Sequence, residues 1–259
     1  YEVNSAEETY RLLRENQNIK LVITGHEMED QHSTRLIANL RVEYPKERLA
    51  IISVCDKNND LNSARFIKSG ANDFLLKPYC HEEFLCRITQ NIELIENVEA
   101  LTSLANTDFL TGLFNRRYFF DNAQPQNQAT EFSTVAMMDI DDFKSINDNY
   151  GHDAGDIVLK TISSLIKLHF EPKYLAARLG GEEFSVYFHD LELEKAVKML
   201  ENFRQELEKT KINVGSEIIT CTVSIGVCQD KKDKLDSLLI LADQKLYSAK
   251  ETGKNKMVF

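Results

Sequence analysis

The chain has 259 residues, 42% of them hydrophobic and 28% charged, a balance that fits one large or two modest folded domains and excludes disorder. A formal net charge of −10 excludes a broad basic face, so no nucleic-acid partner is expected, and a triphosphate must be met locally by a metal and a few lysines. No apolar run approaches the roughly 20 residues of a membrane span, the opening YEVNSAEETY lacks a signal-peptide pattern, and Cys55, Cys80, Cys86, Cys221 and Cys228 form no C-x-x-C pair, so a cytoplasmic protein with free thiols is expected.

The first 88 residues alternate strands and helices. Residues 20–24 (KLVIT), 49–54 (LAIISV) and 73–76 are short apolar runs of the buried-strand kind. Helical stretches such as 7–15 and 33–42 lie between them, which predicts an α/β domain with a parallel sheet. From residue 81 to 106 there is neither Gly nor Pro, and a long helix is predicted. Leu85, Ile88, Ile92 and Ile95 form one heptad seam, and Leu94, Val98, Leu101 and Ala105 a second in shifted register. Such a stripe suits a second copy of the chain in a homodimer, or packing on the helix's own domain.

Beyond residue 107 the pattern becomes α+β. Residues 135–140 (VAMMDI) predict a strand, 143–149 a helix, and 154–170 another. Residues 175–179 and 183–188 flank Gly180 and Gly181 as a hairpin, a turn where positive φ favours glycine. Residues 193–209 predict a helix, 218–228 a single strand, 235–251 a helix and 256–259 a closing strand. Asp139-Ile140-Asp141 follows an apolar strand, and carboxylates at a rigid strand end can make an oxygen site for Mg²⁺, or be only solvated acids at a turn. Glu182 and Glu183 stand directly after the glycine turn. Lys144, one turn into the next helix, can neutralise phosphate near a helix N-terminus. Asn147 and Asp156 carry the amide and carboxylate that can read a guanine edge, although surface polarity explains each one equally well.

These signals occur together in DFLTGLFNRRYF (108–119), DIDDFKSIND (139–148), GHDAGD (151–156), RLGGEEF (178–184), TVSIGV (222–227) and ADQKLYSAKETGKN (242–255). Together they resemble the GGDEF family of diguanylate cyclases over residues 107–259, in its GGEEF form. The resemblance implies a palm-like cyclase domain with a central antiparallel sheet, condensing two GTP into cyclic di-GMP with loss of pyrophosphate. It implies Asp139, Glu182 and the Ile140 carbonyl as ligands of two Mg²⁺ per active site. It places guanine on Asn147 and Asp156, and phosphates on Lys144, Lys250, Lys254 and the backbone at Asp142 and Phe143. Glu183 is the candidate for activating the 3′-hydroxyl. The family commonly has Arg at the position of Lys254, so the bidentate fork is absent here. Members with product inhibition carry an R-x-x-D site, and in this chain Glu171 and Tyr174 hold those two places, so no inhibitory site is expected. The alternative is a domain that has lost turnover and serves as a sensor of GTP or cyclic di-GMP.

Residues 1–88 resemble a response-regulator receiver, a flavodoxin-like domain of two-component signalling, from its second strand onward. LVITGHEM (21–28), IISVC (51–55) and GANDFLLKP (70–78) carry that resemblance. The receiver's phosphoacceptor, hydroxyl and lysine positions fall on Gly25, Cys55 and Lys77, and Gly25 cannot be phosphorylated. The receiver's first strand lies outside this sequence, so either the chain is a fragment or the sheet is completed another way. Residues 89–106 are read as a helical linker. An upstream signalling protein is the further partner implied.

Overall fold

The computed structural model describes residues 1–25, 32–56, 60–129, 133–215, 217–230 and 235–259. They form two compact units, residues 1–103 and 104–259.

In the first unit, Ser5 caps α1 (Ala6–Glu15), its hydroxyl accepting the Glu8 N–H at 3.3 Å. Then follow β1 (Leu21–Thr24), α2 (Ser33–Glu43), β2 (Ala50–Asp56), α3 (Asp60–Ser69), β3 (Asp73–Lys77) and α4 (His81–Asn106). The strands pair in the order β1-β2-β3, all parallel. The middle strand is buried from Ala50 through Cys55, because a parallel strand with cover on both faces needs an uninterrupted apolar run. Ile51 and Cys55 face the core under α1, α2 and α3. Ile52 and Val54 face the other side, where Phe84 and Ile88 of α4 pack. No strand precedes α1 among the described residues. Gly25, Cys55 and Lys77 lie at or beside the C-terminal ends of β1, β2 and β3. The Cys55 thiol is buried in the core, which raises its pKa. His26, Glu27 and Met28, which end the first receiver-like motif, lie outside the described residues.

Along α4 only Ile95 is fully buried. The first seam is partly spent on its own unit through Ile88. The second stays open, with Leu94 56% and Leu101 66% exposed.

The second unit runs β4 (Phe114–Asn115), α5 (Arg116–Ala129), β5 (Ser133–Ile140), α6 (Phe143–Tyr150), α7 (His152–Phe170), β6 (Leu175–Gly180), β7 (Glu183–His189), α8 (Leu193–Lys209), β8 (Ile212–Val214), β9 (Glu217–Ile219), β10 (Val223–Asp230), α9 (Leu235–Glu251) and β11 (Met257–Val258). Six strands form one sheet, in the order β11-β10-β5-β7-β6-β4. The inner four strands are antiparallel, but β11 is parallel to β10 and β4 to β6. The sheet is therefore mixed, where a central antiparallel sheet was expected. The helical crossover α9 returns the chain alongside β10 in the same direction.

Central β5 is buried at every position. Ala136, Met138 and Ile140 face α6, α7 and α8, while Val135 and Met137 face α5 and α9. This alternation lets one apolar strand serve two cores. A Cβ on Gly226 of β10 would run into the backbone of Ala242 and Leu246, so glycine there lets α9 lie close on the sheet. The single strand expected over 218–228 is two. Residues 217–219 are captured by β8 in a separate hairpin, and β10 begins at Val223. Helix α5 was not anticipated, since Phe119 and Ala123 are its only fully buried described side chains and no apolar stripe advertises it.

Candidate active site

The sheet brings the acidic motifs together at the C-terminal end of β5. There Asp139 pairs with Glu183 across β7 and with Ser224 across β10. The backbone N–H of Ile140 reaches the carbonyl of Glu182 at 3.4 Å. Carboxylates 43 and 44 positions apart thus share one strand end. Gly180 pairs with Glu183, leaving Gly181 and Glu182 as the turn, with Gly181 at φ 53°. Arg178 holds that turn, donating to the Gly181 carbonyl from Nε (2.9 Å) and Nη2 (2.7 Å). Its Nη1 donates to Asp108 Oδ1 at 2.9 Å, which also accepts the Thr111 hydroxyl at 2.6 Å. Burial raises the Asp108 pKa, but the Thr111 and Arg178 donors outweigh it and leave the carboxyl below its usual range.

Asp139 is buried, and its Oδ1 lies 2.6 Å from Lys250 Nζ, an ion pair. Among the described residues no other donor reaches that oxygen. Burial pushes the Asp139 carboxyl upward. Lys250 opposes the shift, and the neighbouring Glu182 and Glu183 charges add to it. A shielded carboxylate oxygen facing only an ammonium, beside two further acids, is a site that favours a cation. Among the described residues no three His, Cys, Asp or Glu side chains gather as a metal cage. Mg²⁺ commonly takes one or two carboxylates and completes its shell with water and phosphate oxygens, so the donor set fits that ion.

Helix α6 opens on Asp142, at φ 54°, whose side chain does not cap the helix. Its Oδ1 instead meets Lys254 Nζ at 2.5 Å, a hydrogen bond that raises the lysine pKa. The Lys254 ammonium thus sits beside the residue that starts α6, and the free first-turn N–H groups of a helix together with an ammonium favour an anion. Lys144 is exposed on the next position. Half-buried Asn147 lies against Gly155, with half-buried Asp156 next in the chain. The structure therefore gathers Asp139, Ile140, Glu182, Glu183, Lys250, Asp142, Phe143 and Lys254 around one strand end, and pairs Asn147 with the start of α7.

Asp141 takes hydroxyl and amide donors on both of its oxygens. Tyr174 is not available to stack on a base: its ring is buried against Phe188 at 4.8 Å and His189 at 5.8 Å. Glu171 beside it is raised in pKa, by burial against the pull of Lys167. Arg178, Thr222, Ser224 and Asn255 all lie in the quoted motifs. Their roles depend on partners distant in the chain, and the only local signal is the Thr-x-Ser alternation that puts Thr222 and Ser224 on one face.

The family described as "Diguanylate cyclase, GGDEF domain" matches residues 105–256. The chain is 37% identical over 181 residues to the probable diguanylate cyclase DgcT of Escherichia coli, covering 68% of this chain and 39% of that one. It is 31% identical over 255 residues to the response regulator PleD of Caulobacter vibrioides, covering 93% of this chain and 56% of the relative. It thus spans about two fifths to just over half of their lengths. The crystal structure of the coiled coil and GGDEF domain of DgcB from Caulobacter crescentus, in complex with c-di-GMP, superposes with a TM-score of 0.62 at 32% identity, covering 68% of this chain and 97% of that one.

Proposed function

Because the chain belongs to the diguanylate cyclase GGDEF family, we propose that it condenses two GTP into cyclic di-GMP, with Asp139 and Glu182 holding Mg²⁺ at the end of β5. The observation that carries this is the buried Asp139 oxygen, 2.6 Å from the Lys250 ammonium and met by no other donor among the described residues, beside the turn that leads into Glu182 and Glu183. Asp139, Glu182 and the Ile140 carbonyl would hold the ions. When bound, Mg²⁺ stabilises charge on the α-phosphate and lowers the pKa of the attacking hydroxyl.

The chain's own groups do the rest. The 3′-hydroxyl of one GTP attacks the α-phosphorus of the other, a P–O bond forms, and the bond to pyrophosphate breaks; repeated in the other direction, this closes the ring. Glu183 accepts the hydroxyl proton. Lys250 exchanges its contact with Asp139 for a phosphate oxygen. Lys144, Lys254 and the N–H groups at Asp142 and Phe143 bind the remaining phosphate charge. Asn147 and Asp156 hydrogen-bond the guanine edge. Each domain holds one GTP, so two must meet face to face, and the open second seam of α4 supports a homodimer.

The first unit is read as a receiver-like input domain that phosphorylation does not switch. The parallel order β1-β2-β3, with Gly25, Cys55 and Lys77 at the strand ends, supports this, as does the similarity to a response regulator over 93% of the chain. An upstream signalling protein would then act through it. No described helix is long and apolar enough to cross a membrane.

Incubation with GTP and Mg²⁺, followed by chromatography, should yield cyclic di-GMP. Asp139→Asn and Glu182→Gln should abolish it while the circular dichroism spectrum is retained, and acetyl phosphate should leave the rate unchanged. GTP binding without product would move the chain to a sensor role, and near-normal turnover in either variant would remove the metal assignment.

A further inference from the structure

Asp141 sits between two strands and the C-terminal turn of the second unit. It is buried, and among the described residues every hydrogen-bond donor that reaches its carboxylate is neutral. Oδ2 accepts the Thr222 hydroxyl at 2.7 Å and the Asn255 backbone N–H at 3.0 Å, and Oδ1 accepts the Ser224 hydroxyl at 2.7 Å. Its own N–H donates to the Thr222 carbonyl at 2.9 Å. A buried carboxylate needs such donors, and these three come from β10, the residue before it, and the turn after α9.

That turn is unusual backbone. Lys254 and Asn255 have φ of 57° and 44°, consecutive residues in a left-handed region that a Cβ disfavours. Four described non-glycine residues have positive φ, and Asp142, Lys254 and Asn255 are three of them, all next to or bonded to Asp141 or its neighbour. Such conformations persist only where the surroundings over-determine them. A second clamp completes the hold: Arg204 Nη1 donates to Asn255 Oδ1 at 2.5 Å, and Asn255 Nδ2 donates to Glu208 Oε1 at 2.9 Å. Arg204 is itself fixed by two bonds to Glu201, at 2.9 and 2.7 Å.

We propose that Asp141 is a positioning residue for the triphosphate side of the site. It holds the turn at residues 254 and 255 so that the Lys254 ammonium faces the N-terminus of α6, and it takes no part in binding metal. This rests on the cyclase reading, in which Lys254 meets phosphate. The two acids of the DID motif thereby divide their work: Asp139 faces the cation and Asp141 fixes the lysine.

The test compares wild type, Asp141→Asn, Asp141→Ala, Lys254→Ala and the Asp141→Ala/Lys254→Ala double variant. Equilibrium binding of GTP in Mg²⁺, the Mg²⁺ concentration for half-maximal turnover, and amide hydrogen exchange over residues 252–257 without nucleotide are measured. Asp141→Ala should weaken GTP binding about tenfold, the size of one charge-assisted contact, and so should Lys254→Ala. The double variant should be no weaker than the singles, because both remove the same contact. Asp141→Asn keeps the volume and one acceptor oxygen, so it should restore part of the binding. Exchange at Asn255 should quicken in both Asp141 variants, and the Mg²⁺ requirement should stay put. A raised Mg²⁺ requirement, additive losses, or unchanged exchange at Asn255 would each overturn the proposal. Wild-type protein that binds no GTP would sink the cyclase reading instead, and exchange at Asn255 would still decide whether Asp141 holds the turn.

Discussion

Gly155→Ala separates nucleotide recognition from stability. Gly155 lies in the second turn of α7 with ordinary helical backbone, where alanine normally gains about 1 kcal/mol over glycine. The new methyl would overlap Asn147 Oδ1 and stand 3.1 Å from both Asn147 Cγ and Phe143 Cζ. Asn147 is half-buried and can swing toward solvent, whereas the Phe143 ring is held in the core. The strain therefore leaves through Asn147, and the propensity gain roughly offsets what remains. Two hydrogen bonds to the guanine edge, at about 1 kcal/mol each, disappear, which is a fall of about 30-fold in kcat/KM for GTP. Selectivity for GTP over ATP should narrow, while the melting temperature stays within about 5 °C of wild type. The assay is cyclic di-GMP formation against GTP concentration, with ATP as the competing substrate, beside a thermal melt. Gly155→Ala added to Asn147→Ala should cost nothing further. Wild-type kcat/KM in Gly155→Ala would refute the reasoning, and a large loss of melting temperature would show that the methyl strikes Phe143 and the core instead.

Three other outcomes follow from the geometry. Asp108 has a depressed folded pKa, so its contribution to stability is present above the ordinary carboxylate value, at about 3.9, and is lost as pH falls through the folded value; thermal melts of Asp108→Asn should lie below wild type at pH 7, and the gap should start to close only below the ordinary carboxylate value and vanish below the folded one. Cys221 is buried, with a thiol pushed up to about 12, chiefly by burial, whereas Cys80 and Cys86 are exposed; a maleimide at pH 7 followed by peptide mapping should label Cys80 and Cys86 within minutes and leave Cys221 untouched until denaturant is added. With Glu171 in place of a guanidinium and Tyr174 buried against Phe188, product should not inhibit through this loop, and calorimetry with cyclic di-GMP should show no binding that Glu171→Ala removes.

The amino-acid sequence by itself determined the local elements and the chemistry available at their ends. The apolar run through Met137 and Met138 makes β5 and stops at Asp139; paired glycines turn the chain before Glu182; and the absence of Gly and Pro carries α4 from His81 to Asn106. These are nearest-neighbour effects of periodicity, turn propensity and burial, so they are legible in a window of a dozen residues. Tertiary structure alone decided which of these ends meet. Asp139 faces Glu183 because of the register of β5 on β7, and Asp141, two residues along the same motif, is bonded to Thr222, Ser224 and Asn255. Asp139 lies within β5 and Asp141 one residue past its end, so the two like acids meet different surroundings: α9 brings Lys250 to the first, and β10 with the turn after α9 brings hydroxyl and amide donors to the second. The same physics buried Tyr174, split residues 217–230 between two sheets, and set Asn147 over Gly155. The contacts of Asp139 and Asp141 cross long stretches of chain, selected by how the sheet and its helices pack, and no local pattern encodes them.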